Sequence, residues 1–202
     1  MKKEQLIKMT IWLLVLGVVL YFGLDFYFNR TTLEPANIIV NTISNRYGEI
    51  SINLPKISGD EKISELIEKE NSFWQKAATE KRIVSLNITT TYYDDNYLSL
   101  LYSGLDGNKN KIITSIVIDL TTRKALSKGQ IVDVILKSKF TADGKEDPKM
   151  KYSDDVFSQF DTIYLEKGTD GTINGVFMWK SKNSTQYNSS KLNGYEIIKS
   201  II

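Results

Sequence analysis

The sequence of 202 residues contains neither histidine nor cysteine. The chain alone therefore cannot supply a Ser-His-Asp triad, a cysteine nucleophile or the ligands of the common zinc sites. It also forms no disulfides, so an exported domain would have to be held together by its core. We therefore predict that the protein is not an enzyme and that it has no catalytic residues, cofactor or metal site.

An excess of charge of either sign is also missing. Outside the first 30 residues the chain carries 22 basic and 22 acidic side chains. A neutral domain has no electrostatic attraction for a polyanion such as a nucleic acid or an anionic wall polymer. The balance therefore predicts no nucleic-acid partner.

The longest apolar run is Met9 to Phe28, MTIWLLVLGVVLYFGLDFYF. In a helix, 20 residues reach about 30 Å, the thickness of a bilayer core. Its one charge, Asp25, lies at the far end, where headgroups and water can hydrate it. Aromatic residues gather at the same end, as in the interfacial belts of membrane helices. The run predicts a single transmembrane helix over residues 9–28.

The charges on either side of this run indicate its orientation. Lys2, Lys3 and Lys8 precede it, and Arg30 is the only base that closely follows. The positive-inside rule then places residues 1–8 in the cytoplasm and the rest outside the cell membrane. A cleaved signal peptide is the alternative, but the residues at the exit are bulky rather than small. We predict an uncleaved single-pass anchor, a linker over 29–36 and an extracytoplasmic domain over 37–202.

In the domain, polar and apolar residues alternate over several segments, as they do in half-buried strands, and one segment repeats its apolar residues with the period of a helix. The predicted fold class is α+β: an antiparallel β-sheet domain with one main amphipathic helix and one or two shorter helices, and with sub-halves 37–125 and 126–202. Strands are predicted at 37–44, 49–54, 82–93, 97–104, 111–120, 162–167, 173–180 and 195–202. Shorter helices are predicted at 128–140 and around 153–160, and polar loops at 141–151 and 181–193.

The main helix is predicted over 60–80. Ser58 and Glu61 have the spacing of a capping box, and Pro55 to Gly59 is expected to end the preceding strand. The apolar positions share one face, which we expect to rest on the sheet: Ile63, Leu66, Ile67, Phe73, Trp74, Ala77 and Ala78.

Three short motifs resemble a known family. Pro55, Ile57, Ser58 and Gly59 match a "Pro-x-(Ile/Val)-Ser-Gly" turn before a helix. Ile118, Asp119, Leu120 and Thr122 match a strand end that reads "Phe/Ile-Asp-Leu-x-Thr-Gly", with Arg123 in place of the glycine. The segments 163–166 and 176–179 are similar to the family's closing hairpin. The resemblance covers about residues 38–202.

The family comprises paired α+β domains of unknown function. They occur in the extracellular part of lysozyme-sensing anti-sigma factors and ahead of the catalytic domain of some peptidoglycan deacetylases. The resemblance implies an envelope domain of the same fold. Two departures limit it: Ser184 to Leu192 replaces a Pro-Tyr-rich segment, and eight residues before the anchor leave no room for a sigma-binding domain.

Carboxylates are the side chains left for chemistry. Asp94-Asp95 and Asp154-Asp155 are adjacent pairs, which turn formation and helix capping explain more simply than catalysis. Asp143, Glu146 and Asp147 are spaced loosely like calcium ligands, without the pattern of an EF-hand. Neither group changes the prediction that no metal is bound.

Tyrosines are the candidate partner-binding residues. Tyr92, Tyr93, Tyr97 and Tyr102 belong to one predicted hairpin, and alternate ones are expected on opposite faces of the sheet. Tyrosine suits the recognition of proteins and sugars, whereas packing between neighbouring strands is the simpler role.

Two functions remain open on the sequence. The first is a membrane-anchored extracytoplasmic binding or sensing module of the bacterial envelope, which recognises a protein of lysozyme type or a cell-wall glycan such as peptidoglycan. The alternative is a structural subunit of an envelope complex for secretion, conjugation or division, with no ligand of its own. The sequence does not determine the oligomeric state.

Overall fold

A computed structural model describes residues 35–144, 154–181, 186–194 and 196–197. Within them the chain forms two β-sheets and two α-helices, which confirms the predicted α+β class. The predicted membrane segment, residues 9–28, lies outside the described residues. Of the helices that are described, none is long and apolar enough to span a bilayer.

The first sheet has six strands in sequence order. They are β1 Ile39–Tyr47, β2 Ile50–Ser58, β3 Ile83–Tyr93, β4 Tyr97–Asp106, β5 Lys111–Asp119 and β6 Lys124–Ala125. Neighbours are antiparallel except β2 and β3, which pair in parallel at Ser51↔Ser85 and Ile52↔Leu86. The prediction of an antiparallel sheet was wrong there, because the helix between β2 and β3 carries the chain back to the end where β2 began.

That helix, α1, spans Glu61–Thr79 and begins at Asp60, whose side chain accepts a hydrogen bond from the Ile63 N–H at 3.1 Å. The predicted cap, Ser58, is wrong because β2 continues through Pro55 to Ser58. Gly59 then turns the chain with φ +103°, and a Cβ there would lie 2.3 Å from the Asn37 carbonyl oxygen. The cap therefore lies two residues later than the capping-box pattern predicts, and the helix begins at Glu61 rather than at residue 60.

The apolar face of α1 rests on the sheet, as predicted. Ile63, Ile67, Trp74, Ala77 and Ala78 are buried, and Leu66 is half-buried against the same core. Phe73 is the exception: 51% of it is exposed. It lies at the rim of the face, edge-on to Trp74 with ring centroids 5.0 Å apart.

The second sheet contains β7 Thr162–Lys167, β8 Ile173–Lys180 and β9 Tyr187–Leu192, all antiparallel. The predicted hairpin of β7 and β8 is confirmed. The prediction of a loop over 181–193 was wrong for β9, because its polar side chains belong to a strand that pairs with β8 at the edge of the described sheet. The predicted strand at 195–202 is wrong at Glu196 and Ile197, which are helical; its remaining residues lie outside the described part.

Helix α2, Lys128–Ala142, and a 3₁₀ helix, Asp154–Phe157, accompany the second sheet. Ser127 caps α2 in a capping box with Gln130. Buried residues of α2, β5, β7 and β8 form one core, and those of α1 and the other face of the first sheet form another. The division into sub-halves 37–125 and 126–202 stays a prediction.

The second sheet lies across one face of the first. The Ser115 hydroxyl is 2.5 Å from the Thr162 hydroxyl, and the Leu165 N–H donates to the Ser99 hydroxyl at 3.1 Å. These contacts join β7 to the beginning of β4 and the middle of β5. On the same face, Ser51 of β2 and Asn87 of β3 remain exposed.

Candidate functional site

The four tyrosines predicted as partner-binding residues are divided between the two faces of the hairpin β3–β4. Tyr102 is 1% exposed and stacks on Trp74, with ring centroids 5.9 Å apart. Tyr93 is 46% exposed, and its hydroxyl donates to the Ile38 carbonyl at 2.9 Å. Tyr92 and Tyr97 are half-buried against the core of the second sheet. The structure therefore does not gather the four tyrosines into one surface.

Tyr92 and Tyr97 are tied to the turn between the strands. One oxygen of Asp94 accepts the N–H groups of Asn96 and Tyr97, at 2.8 and 2.7 Å, and the other accepts the Tyr92 hydroxyl at 2.8 Å. Burial raises the pKa of Tyr92, as does its hydrogen bond to Asp94. Burial also raises the pKa of Tyr97. Asp94 thus shapes the turn, as the simpler interpretation of the Asp94-Asp95 pair predicts.

Tyr97 also lines a cleft of about 470 Å³ between this turn, α2 and the turn from β7 to β8. The polar lining includes Lys137, Thr141 and Asp170. Asp170 accepts hydrogen bonds from Lys139 at 2.8 Å and from Thr172 at 2.5 Å, which hold its pKa below the ordinary value. Asp94 and Asp170, the acidic residues of this cleft, therefore form hydrogen bonds that stabilise the two turns and the contact of one of them with α2.

The other predicted acids are not brought together. Asp143 ends α2 and lies 3.7 Å from Lys139. Glu146, Asp147 and the side chain of Asp154 fall outside what the structure describes. No cluster of three possible metal ligands occurs among the described side chains.

A polar groove of about 680 Å³ lies on the uncovered part of the first sheet. It lies on the face opposite α1, where β2, β3 and β4 run side by side. We define the polar groove by its serine and asparagine side chains and its rim lysines: Ser51, Asn53, Ser85, Asn87, Ser103, Lys109 and Lys111.

Hydrogen bonds between strands order the asparagines of the polar groove. The side-chain amide nitrogen of Asn53 donates to the side-chain oxygen of Asn87 at 2.5 Å. The Ser44 hydroxyl donates to the side-chain oxygen of Asn53 at 2.6 Å. Because β2 and β3 pair through only two residues each, this amide contact bridges them just beyond their backbone ladder. The floor is tight at Gly104, where a Cβ would lie 2.0 Å from the Ser85 carbonyl oxygen.

The polar side chains of the groove are mainly neutral donors and acceptors, and Leu86 and Leu105 add apolar surface beside them. Each amide and hydroxyl can both donate and accept, which suits ligands rich in hydroxyl or amide groups. Lys109 and Lys111 add positive charge at the turn from β4 to β5. Lys109 has φ 63°, the left-handed conformation of a tight turn.

Sequence reasoning missed this groove because each strand supplies only one or two of its residues. A signal was nevertheless present in the segments 51–53 and 85–87. Their outward positions all hold serine or asparagine, so each segment places two short neutral polar side chains on one face of its strand. The adjacency of β2 and β3 was needed to bring the two segments together.

Comparison with known proteins identifies no family. No family model matches the chain, and no curated protein matches it. Two solved structures are similar in outline. One is a DUF3298 family protein from Pseudomonas aeruginosa PAO1, with 10% identity and a TM-score of 0.44 over 83% of this chain and 94% of that one. The other is a DUF3298 family member from Bacteroides fragilis NCTC 9343, with 11% identity and a TM-score of 0.40 over 84% and 94%. At these TM-scores neither likeness bears on a ligand or an activity.

Proposed function

We propose that this protein is a membrane-anchored binding module of the bacterial envelope, and that its polar groove binds a cell-wall glycan. Residues 9–28 would form the anchor, with residues 1–8 in the cytoplasm and the domain outside. The polar groove is the observation that carries the proposal.

The dimensions and chemistry of the groove fit a saccharide. Ligand sites commonly have volumes of about 300–1,000 Å³, and this open groove has a volume of about 680 Å³. Its wall offers three serine hydroxyls and two asparagine amides on adjacent strands. A glycan with hydroxyl and N-acetyl groups presents matching donors and acceptors along an extended chain.

The envelope location is supported by the sequence. The apolar run, its basic flank and the absence of cysteine are all compatible with a single-pass anchor and an exported domain. The motif resemblance to domains of lysozyme-sensing anti-sigma factors and peptidoglycan deacetylases supports the same location. A protein of lysozyme type is the other ligand that this resemblance suggests.

The test is binding of soluble peptidoglycan fragments to the full chain in detergent micelles, measured by isothermal titration calorimetry. We expect saturable binding of the fragments. In the double variant Asn53→Ala/Asn87→Ala the dissociation constant should rise about tenfold or more, because lost hydrogen bonds cost roughly 1 kcal/mol each.

Asn188→Ala is the matched control. Asn188 is an exposed asparagine of β9, outside the groove, and its amide donates to Ser181. Its replacement should leave the affinity unchanged. The absence of fragment binding to the unaltered protein, or equal affinity of both variants, would sink the proposal; capture of a lysozyme without glycan binding would favour the protein ligand instead.

A further inference from the structure

Strand β1 is an open edge of the first sheet. It is nine residues long, IVNTISNRY, and among the described strands it pairs with β2 alone. Natural edge strands are commonly protected by lysine, proline, a bulge or short length. The opposite edge, β6, is protected by having two residues, but β1 has no lysine, no proline and an unbroken register. Ile39 and Ile43 are 61% and 41% exposed on it.

The contacts of β2 show which backbone groups of β1 face outward. The Pro55 carbonyl accepts the Asn71 amide at 2.7 Å, and the Ile57 carbonyl accepts the Ser64 hydroxyl at 2.9 Å. Both donors belong to α1, so these carbonyls point away from β1. In an antiparallel pair, facing residues exchange both hydrogen bonds or neither.

The partners of Pro55 and Ile57 therefore direct their own N–H and C=O groups to the free edge. These partners are Thr42 and Val40. By alternation, Ser44 and Arg46 do the same. The four even-numbered residues from Val40 to Arg46 thus present a regular row of backbone donors and acceptors to a strand that lies alongside.

The sequence of β1 is complementary to itself about Ile43. In an antiparallel pair of two copies with Ile43 opposite Ile43, Ile39 meets Tyr47 and Asn41 meets Asn45. On the other face Thr42 meets Ser44, and Arg46 meets Val40 rather than a second Arg46. Moving the axis to Thr42 or Ser44 would set Ile43 against an asparagine.

We propose that β1 pairs with β1 of a second copy of this chain, antiparallel and centred on Ile43. The pairing joins two six-stranded sheets into one of twelve strands and supplies about eight backbone hydrogen bonds between the copies. This register also keeps the two copies of Arg46 apart, because each lies opposite Val40 of the other copy and so avoids the repulsion of like charges. The inference is independent of what the polar groove binds.

Disulfide trapping tests the register. Because the Ile43 backbone groups point to β2, its pair across the interface is of the non-hydrogen-bonded kind, with Cα atoms about 4.5 Å apart. This distance lies within the range of disulfides. The chain has no cysteine, so Ile43→Cys in the full chain in micelles gives a single thiol, and we expect a covalent dimer on a non-reducing gel.

Ile39→Cys is the matched control. It replaces the same residue type on the same strand, and its side chain is more exposed, but the proposed register places the two copies of residue 39 roughly 27 Å apart along the strands. We expect no covalent dimer. Dimer from Ile39→Cys equal to that from Ile43→Cys would overturn the register.

Two further variants test whether the edge of β1 forms the dimer. The measurement is the molecular mass of the protein in its micelles. Thr42→Pro removes an outward N–H that β2 does not use, so the fold should survive and the dimer should be lost. If that variant fails to fold, Thr42→Lys/Ser44→Lys serves instead, since it sets lysines opposite each other across the interface. A monomeric unaltered protein, or dimers that withstand both changes, would overturn the proposal.

Discussion

An ion pair between Arg123 and Asp60 joins two connections of the first sheet that are far apart in sequence. The Arg123 Nε lies 2.7 Å from the Asp60 Oδ2, and another nitrogen of the guanidinium donates to the Thr121 carbonyl at 3.0 Å. Asp60 begins α1, whereas Arg123 belongs to the turn after β5. Arg123 has φ 58°, the left-handed conformation that favours glycine. Its ion pair therefore coexists with an unfavourable backbone conformation.

Replacement of Arg123 by glycine and by alanine should separate these two effects. Both remove the guanidinium, but only glycine adopts the left-handed conformation freely. We expect both variants to lower the free energy of unfolding, with Arg123→Ala less stable than Arg123→Gly by about 1 kcal/mol. Urea denaturation of the full chain in micelles measures the difference. Equal stabilities would show that the turn does not keep its φ in the alanine variant.

The same pair predicts a dependence of stability on pH. Burial raises the pKa of Asp60, but the hydrogen bonds from Arg123 and the Ile63 N–H outweigh it, so the pKa lies below the ordinary 3.8. A carboxyl with a lowered pKa stabilises the fold above its unfolded-state pKa, and this stabilisation is lost as the pH falls through the folded-state pKa. Asp60→Asn should therefore be less stable than the unaltered protein at pH 7. The difference should disappear at a pH well below 3.8, as followed by urea denaturation at each pH; a difference independent of pH would contradict the charge argument.

Much of the first sheet could be predicted because its signals are local. The alternation over β3, β4 and β5 and the apolar face of α1 each depend on residues close in sequence. Helix boundaries depended on details that the pattern does not contain. The position of the cap at Asp60 follows from the length of β2 and the turn at Gly59, which only the paired strands reveal.

The failures concern residues whose environment is set by distant parts of the chain. Phe73 has the apolar character of a core residue but lies beyond the edge of the surface that α1 covers. The strand β9 has a polar sequence, YNSSKL, and is held by pairing with β8. In neither case does the local sequence carry the deciding information.

The site was predictable only in part for the same reason. The tyrosines were correctly placed on one hairpin, but the burial of Tyr102 depends on Trp74, 28 positions earlier. The polar groove depends on the parallel pairing of β2 with β3. A polar residue at an outward strand position is common, and only the neighbouring strand shows whether it joins others.

Gly104 and Gly48 provide a test of how closely the strands approach at the groove. A Cβ at Gly104 would lie 2.0 Å from a backbone oxygen of Ser85, which cannot move as a flexible side chain does. Gly48 has φ +64° and open space around it. We expect Gly104→Ala to lower the free energy of unfolding by more than about 2 kcal/mol, and Gly48→Ala by about 1 kcal/mol through its backbone alone. Chemical denaturation ranks the two, and a smaller effect at Gly104 would show that β3 and β4 separate at little cost.

Trp74 and Phe73 are neighbouring aromatic residues of α1 with opposite environments, so they form a matched pair. Trp74 is 5% exposed, stacks on Tyr102, and donates from its indole nitrogen to Glu70 at 2.8 Å. Truncation of such a residue costs about 3–5 kcal/mol through lost burial and the cavity that remains. For a chain of this size, that cost corresponds to a fall in melting temperature on the order of 10 °C.

Phe73→Ala removes a neighbouring aromatic side chain that is somewhat smaller and 51% exposed. The expected cost is below about 1 kcal/mol, because most surface substitutions away from special features have small effects. Thermal unfolding followed by circular dichroism compares Trp74→Ala with Phe73→Ala in the same micelles. If both variants melted alike, α1 would not rest on the sheet through Trp74. A larger effect at Phe73 would instead require that its exposed ring be covered in solution.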